Sequence, residues 1–483
     1  MDRRTFLKAT GMALAVTKAD ELVSAAGSGE EEARRRPNGV FGFGDQWRAQ
    51  ATGYAGDPNA ITPNLDKLVG ASVHMTTTVS CCPVCTPYRA SLLTGQYPLT
   101  TGLFLNDLHL EDKAVSLAEA LATAGYDTAY IGKWHLDGRG RSAFIPRQSR
   151  QGFDYWKVLE CTHRYNQSTY FADADERLEW EGYDAIAQTR DAQQYIAAHA
   201  RDDKPFLLML SWGPPHNPYP TAPEKYRKMF PDAEKIKLRP NVPEKSAARA
   251  REDLQGYYAH CAALDDCVGE LLATLDECGI ADDTIFVFTS DHGDMLGSQG
   301  QQRKQRPWDE SILVPFLLRY PAGCGRQGRQ IDMPFNAPDI MPTLLGLAGV
   351  EIPDTVEGRD YSAVLAGRSP APAETDAALI CCVSPFGEYT RARGGREYRG
   401  IRTRRHTYVR TLEGPWLLYD NEADPHQQKN LAGKPEAAEV QKALDQRLTE
   451  MLAERKDEFR DGWHYIKKHG YQTHKNGTVP VRP

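Results

Sequence analysis

Thr284-Ile285-Phe286-Val287-Phe288-Thr289 is an unbroken apolar and β-branched run that ends in Ser290-Asp291-His292-Gly293, and Val40-Phe41-Gly42-Phe43 likewise ends in Asp45-Gln46. Runs of this kind predict strands buried on both faces of a parallel sheet. Two more follow the same plan. Tyr126-Asp127-Thr128-Ala129-Tyr130-Ile131 leads into Gly132-Lys133-Trp134-His135, and Phe206-Leu207-Leu208-Met209-Leu210 into Pro214-Pro215-His216-Asn217. In an open parallel sheet, sites form outside the carboxyl ends of the strands. One such ending is bland, because Asp and His commonly cap helices or fill loops. Four together predict a single site.

Outward from these strands, short β-rich runs alternate with helical patterns from residue 37 to about 350, which predicts an α/β domain with helices on both faces of the sheet. Helices are expected over Ser116–Ala124 and Asp253–Cys278; in the second, Leu254, Tyr258, Cys261, Leu264, Val268, Leu271 and Leu275 share one stripe. Leu365–Ala378 has linker composition. Strand-like pieces follow at Ala378–Val383, Tyr398–Arg402, His406–Leu412 and Trp416–Tyr419, then an amphipathic helix from about Ala437 to Lys456. These predict a small α+β domain packed on the first, with boundaries at 34–368 and 376–483.

The 483 residues, 41% hydrophobic and 25% charged, lie in the globular range, and 40 Gly with 31 Pro imply many loops. A net charge of −7 argues against nucleic acid as the main partner. No apolar run approaches bilayer length, so stable membrane insertion is not expected. Arg3-Arg4-Thr5-Phe6-Leu7-Lys8, a weakly apolar stretch and Val23-Ser24-Ala25-Ala26 read as a twin-arginine export signal over residues 1–30, which predicts a periplasmic or extracellular protein. The ten cysteines show no disulfide-scaffold spacing; only Cys82-Pro83-Val84-Cys85 forms a CxxC.

Asp45, Gln46, Asp291 and His292 offer two carboxylates, an amide oxygen and an imidazole, which suits a hard divalent cation, calcium first and magnesium second. Two capping aspartates with incidental neighbours are the plainer alternative. Gly39, Gly42 and Gly44 either weaken the first strand or let a neighbour approach it closely. In Cys85-Thr86-Pro87-Tyr88-Arg89-Ala90-Ser91-Leu92-Leu93-Thr94-Gly95, Thr86 is expected to cap a helix, Pro87 to take its first position and Gly95 to stop it. Cys85 then sits at a helix N-terminus, where the dipole favours an anion and Arg89 can reach back from one turn on. It reads either as a thiolate nucleophile or as a structural thiol. The Cys-x5-Arg loop of cysteine phosphatases is absent, since the sixth residue after Cys85 is Ser91 and after Cys82 is Tyr88.

Cys85-x-Pro87-x-Arg89 followed by Ala-Ser-Leu-Leu-Thr-Gly95 resembles the signature of type I sulfatases, of the alkaline-phosphatase superfamily. Arg36-Pro37-Asn38, Thr62-Pro63-Asn64-Leu65-Asp66, Gly132-Lys133-Trp134-His135, Ser290-Asp291-His292-Gly293 and Leu418-Tyr419-Asp420 with Asp424-Pro425 and Asn430-Leu431 resemble that family in order. The resemblance implies an alkaline-phosphatase-like fold: a large mixed, mainly parallel sheet between helices, with a smaller C-terminal α+β domain. It also implies that a maturation enzyme oxidises Cys85 to formylglycine, and that residue 85, Asp45, Gln46, Asp291 and His292 surround one calcium. Lys133 and Lys304 would hold sulfate oxygens, Arg89 and His135 would steer the formylglycine hydrate, and His216 would protonate the leaving oxygen. Gln46 stands where many members carry Asp, which removes a charge from the metal site.

The implied activity is hydrolysis of a sulfate ester, on a sulfated sugar or polysaccharide or another organic sulfate. Such an ester is an anion that water attacks poorly, so the site needs a cation, donors for the sulfate oxygens and a strong local nucleophile. Asp45-Gln46-Trp47-Arg48 also resembles phosphonate monoester and phosphodiester hydrolases of the superfamily, the nearest alternative, and a non-catalytic or redox protein using Cys82 and Cys85 as a dithiol is a further one. His109, His163, Arg164 and Trp308 are expected around the substrate pocket, whereas Lys304 in Arg303-Lys304-Gln305-Arg306 could equally belong to a solvated basic run.

Overall fold

The computed structural model describes residues 36–372 and 376–480. The expected export signal lies outside the described residues.

The main sheet has eight strands: β1 (Asn38–Asp45), β2 (Val73–Val79), β3 (Asp127–Lys133), β4 (Tyr155–Leu159), β7 (Phe206–Pro215), β8 (Thr284–Ser290), β9 (Phe316–Arg319) and β10 (Arg329–Asn336). Their order is β10-β2-β9-β8-β1-β7-β3-β4. Only β9 runs against its neighbours, so the sheet is mixed and mainly parallel. A small ladder, β5 (Thr169–Tyr170) with β6 (Leu178–Glu179), stands apart.

Successive side chains of the central strands enter opposite layers, which is why their sequences are apolar throughout. Phe41 and Phe43 of β1, Leu207 and Met209 of β7, and Ile285 and Val287 of β8 join the core that holds the Cys85–Thr94, Leu117–Thr123 and Ala337–Ala348 helices. Val40, Leu208, Leu210, Phe286 and Phe288 face the other way, against the Asp184–His199 and Glu244–Glu277 helices. The first-strand glycines permit close approach: a Cβ at Gly42 would lie 3.2 Å from the Trp212 ring, and one at Gly39 3.1 Å from Leu207.

Leu117–Thr123 begins as expected, with a reciprocal capping box between Ser116 and Glu119. The long helix begins at Glu244, nine positions before Asp253. Its first turns expose polar side chains and bury Ala247 and Ala250, so they carry no large apolar residue to betray the period. The expected cap of the Cys85 helix is corrected: Val84 is the cap residue and Cys85 the first helical residue, so Pro87 falls in the third position, still within the turn that needs no intrahelical N–H. The Thr86 hydroxyl donates to the His135 carbonyl at 2.8 Å instead of capping. Gly95 ends the helix in the left-handed region, at φ 66°.

The C-terminal antiparallel sheet runs β11 (Ala377–Cys382), β12 (Tyr398–Thr403), β13 (His406–Thr411) and β14 (Gly414–Asp420), with the Ala438–Glu454 helix against it. It meets the main sheet through Asn336, whose side chain donates to the Leu379 carbonyl at 3.0 Å, and through the Cys381 amide, 2.7 Å from the Cys81 carbonyl. Gln305 brackets Phe386, donating to its carbonyl and accepting from its amide at 3.0 and 3.2 Å. The smaller sheet thereby buttresses both the approach to Cys85 and the loop that carries Lys304.

Candidate functional site

Gly44 of β1 pairs with Ser290 of parallel β8, so the next residues, Asp45 and Asp291, emerge side by side. With Cys85 and His292 they place one ligand-type atom each within 4.8 Å of one another, all buried. The Cys85 sulfur lies 3.7 Å from Asp45 Oδ1, 3.3 Å from His292 Nε2 and 3.2 Å from Lys304 Nζ. His292 Nδ1 lies 2.9 Å from the Gly293 carbonyl; donating there leaves Nε2 unprotonated toward the cluster.

Gln46 turns out of β1 at φ 71°. Its amide N–H donates to Asp291 Oδ1 at 3.0 Å and its Nε2 to Asp294 Oδ2 at 2.6 Å. Its Oε1 is buried without a partner. An orphaned amide oxygen beside two buried carboxylates and an imidazole is the donor set a hard divalent cation takes, so these residues fit a metal.

Lys133, the last residue of β3, reaches Asp45 Oδ2 at 2.6 Å. Arg89 does not reach back to Cys85 as its main partner: Nη2 bridges Asp45 and Asp291 at 3.1 Å each, and Nη1 donates to the Lys133 carbonyl and to Ser211. Lys304 is buried rather than solvated, with His216 Nε2 2.9 Å from its ammonium. His216 Nδ1 donates to the Asn217 carbonyl at 2.8 Å, and His163 stacks on its ring at 4.7 Å. His135, at φ 61°, directs Nε2 to Asp107 Oδ1 at 3.1 Å, while Arg141 grips both Asp107 oxygens at 2.8 Å.

All ten sequence-derived site residues lie among these contacts. Of the four pocket candidates, His163 joins the cluster, whereas His109 meets the Asp137 carbonyl at 3.0 Å. Arg164 is exposed. Trp308 packs instead under the C-terminal sheet, donating to Tyr419 and meeting Trp416 edge-on. Asp107, Arg141 and Asp294 were missed. Asp294 follows His292 by two residues and was legible; Asp107 and Arg141 sit in loops without a pattern.

The electrostatics favour negative charge at residue 85. Burial and the Asp45 carboxylate oppose ionisation of the thiol, yet the Lys133 and Lys304 ammoniums hold it well below the usual thiol range. Burial likewise opposes ionisation of Asp45, but Lys133, Arg89 and Lys304 keep it well below the usual carboxylate range, whereas burial and Asp45 itself push Asp291 up. Burial and the neighbouring Lys304 depress His216. Burial also resists charge on His135, but the Cys161 thiol and the Asp107 bond outweigh it and raise the ring to about 10.

A family model described as Sulfatase matches residues 37–350, and one described as N-sulphoglucosamine sulphohydrolase, C-terminal, matches residues 297–454. The chain is 48% identical over 451 residues to the ulvan-active sulfatase of Formosa agariphila, covering 92% of this chain and 87% of that protein. It is 30% identical over 479 residues to the endo-4-O-sulfatase of Bacteroides thetaiotaomicron, covering 88% and 93%. A solved structure from work on glycosaminoglycan metabolism by Bacteroides thetaiotaomicron matches with a TM-score of 0.80 at 28% identity, covering 90% of this chain and 99% of that one.

Proposed function

Since the chain belongs to the sulfatase family and is a sulfuric ester hydrolase, we propose that it removes sulfate from a sulfated sugar or polysaccharide outside the cytoplasm, with Cys85 matured to formylglycine and one calcium in the Asp45–Gln46–Asp291–His292 cluster. The named activities of the two curated relatives support the substrate class. No helix among the described residues is long and apolar enough to cross a membrane. Residues 34–368 are read as the catalytic domain and 376–483 as its C-terminal companion.

When present, calcium supplies positive charge and a hydrated formylglycine supplies a nucleophilic hydroxyl with a second hydroxyl whose deprotonation frees sulfate. The chain's own groups do the rest. Lys133 and Lys304 hold sulfate oxygens on two sides of residue 85. Arg89 ties Asp45 to Asp291, keeping the carboxylates aimed at one point. His135, oriented by Asp107, has Nδ1 buried and unpartnered; its raised pKa makes the ring a strong base, and its neutral form takes the second hydroxyl's proton at Nδ1. His216 gives a proton from Nε2 to the leaving oxygen; the charge of the bound sulfate offsets the burial and the Lys304 cation that otherwise keep the ring neutral.

The observation that carries this reading is the convergence of two lysines, two carboxylates and two imidazoles on Cys85 at the head of its helix. A panel of sulfated sugars, aryl sulfates and phosphonate monoesters, assayed with matured protein, tests it. Release of sulfate from a sugar at far higher kcat/KM than phosphonate hydrolysis is expected, and the reverse order overturns it in favour of the phosphonate hydrolase alternative.

A further inference from the structure

Asp294 is wholly buried and accepts from four donors: the Leu296 and Arg303 amides on Oδ1 at 3.2 and 2.9 Å, and Gln46 Nε2 and the Tyr219 hydroxyl on Oδ2 at 2.6 and 2.5 Å. Tyr219 in turn accepts from the Arg303 guanidinium. A carboxylate offers lone pairs only, so the Gln46 amide has to turn its NH2 toward Asp294. Its carbonyl oxygen then faces away, and that oxygen is the buried atom without a partner.

We propose that Asp294 is a positioning residue of the metal site: it fixes which atom of Gln46 meets the cation and supplies, one layer out, the negative charge that an amide at position 46 lacks. The proposal rests on the reading of the Asp45–Gln46–Asp291–His292 cluster as a metal centre. Tyr219 and Arg303 complete a chain from the loop after His292 to the ligand. Partners of this kind orient the ligating group, and their loss typically costs about 10–100-fold in metal affinity.

Calorimetric titration of the matured protein with calcium, paired with the calcium-induced rise in Tm, tests this without reference to turnover. Asp294→Asn should bind calcium about 10-fold or more weakly. Gln46→Glu, which sets a carboxylate against Asp294, should also bind weakly. The double variant Gln46→Glu/Asp294→Asn reverses the bond, the new amide donating to the new carboxylate, and should bind more tightly than the two single losses predict. Gln46→Leu, which deletes the carbonyl and leaves Asp294 intact, should weaken calcium on its own and serves if the position-294 variants fold poorly in calcium-free melts. Wild-type affinity in Asp294→Asn or in Gln46→Leu, or strictly additive losses in the double variant, overturns the proposal while the metal reading stands. Absence of calcium binding by the wild-type protein sinks the metal reading itself, and the proposal with it.

Discussion

Lys304 Nζ stands 2.9 Å from His216 Nε2 and 3.2 Å from the Cys85 sulfur, so one ammonium joins the proposed nucleophile to the imidazole proposed as the general acid. A general acid matters most when the leaving group is poor. A sugar alkoxide needs the proton in the transition state, whereas a nitrophenolate leaves readily. His216→Ala should therefore lose about 10²-fold or more in kcat/KM on a sugar sulfate and much less on an activated aryl sulfate. Equal losses on both, with an unchanged thermal melt, would remove His216 from the acid role.

Metal analysis of purified protein should find one calcium per chain. Asp291→Asn should reduce calcium content and lower Tm, because Asp291 takes the Gln46 amide and the Arg89 guanidinium as well as facing the cluster. Stoichiometric zinc, or full activity after chelation, would contradict the oxygen-rich assignment.

Away from the site, His260 provides a pH test of the fold. Burial depresses its pKa from 6.5 to about 4, with Nδ1 accepting from Tyr183 at 2.5 Å and Nε2 facing the Pro218 carbonyl. Between those pH values the unfolded chain binds the extra proton, so stability is full above about 6.5 and declines as pH falls toward 4, by roughly 3 kcal/mol at most. Buried Glu160 and Asp184, raised to about 7 and 8, carry the opposite sign, so the comparison has to be between proteins. Tm measured from pH 7 to 4.5 should fall more steeply in wild type than in His260→Gln; equal slopes would show that this ring is not the cause.

Gly42→Ala tests the close approach of β1 to Trp212. The added methyl, 3.2 Å from the indole ring in a filled core, should cost about 1–3 kcal/mol by overpacking. An unchanged Tm would mean that the ring yields without strain.

The four strands and their reactive ends were legible because strands buried on both faces are apolar throughout, and because parallel neighbours deliver their last residues to one edge. The C-terminal strands and their helix were legible for the same reason of period. The start of the long helix was not, since Glu244–Glu252 carries no large apolar residue. The glycines of β1 announced a special backbone position but not Trp212 as its cause. The loop residues Asp107 and Arg141, like the burial of Lys304, depend on tertiary contacts that no local pattern records.

The most direct measurement is peptide mass spectrometry of residue 85 in active protein from a host that contains a formylglycine-generating enzyme. Conversion of the Cys85 thiol to an aldehyde is expected, together with loss of turnover in a folded Cys85→Ala variant. Active protein that retains an unmodified Cys85 thiol would contradict the proposed mechanism.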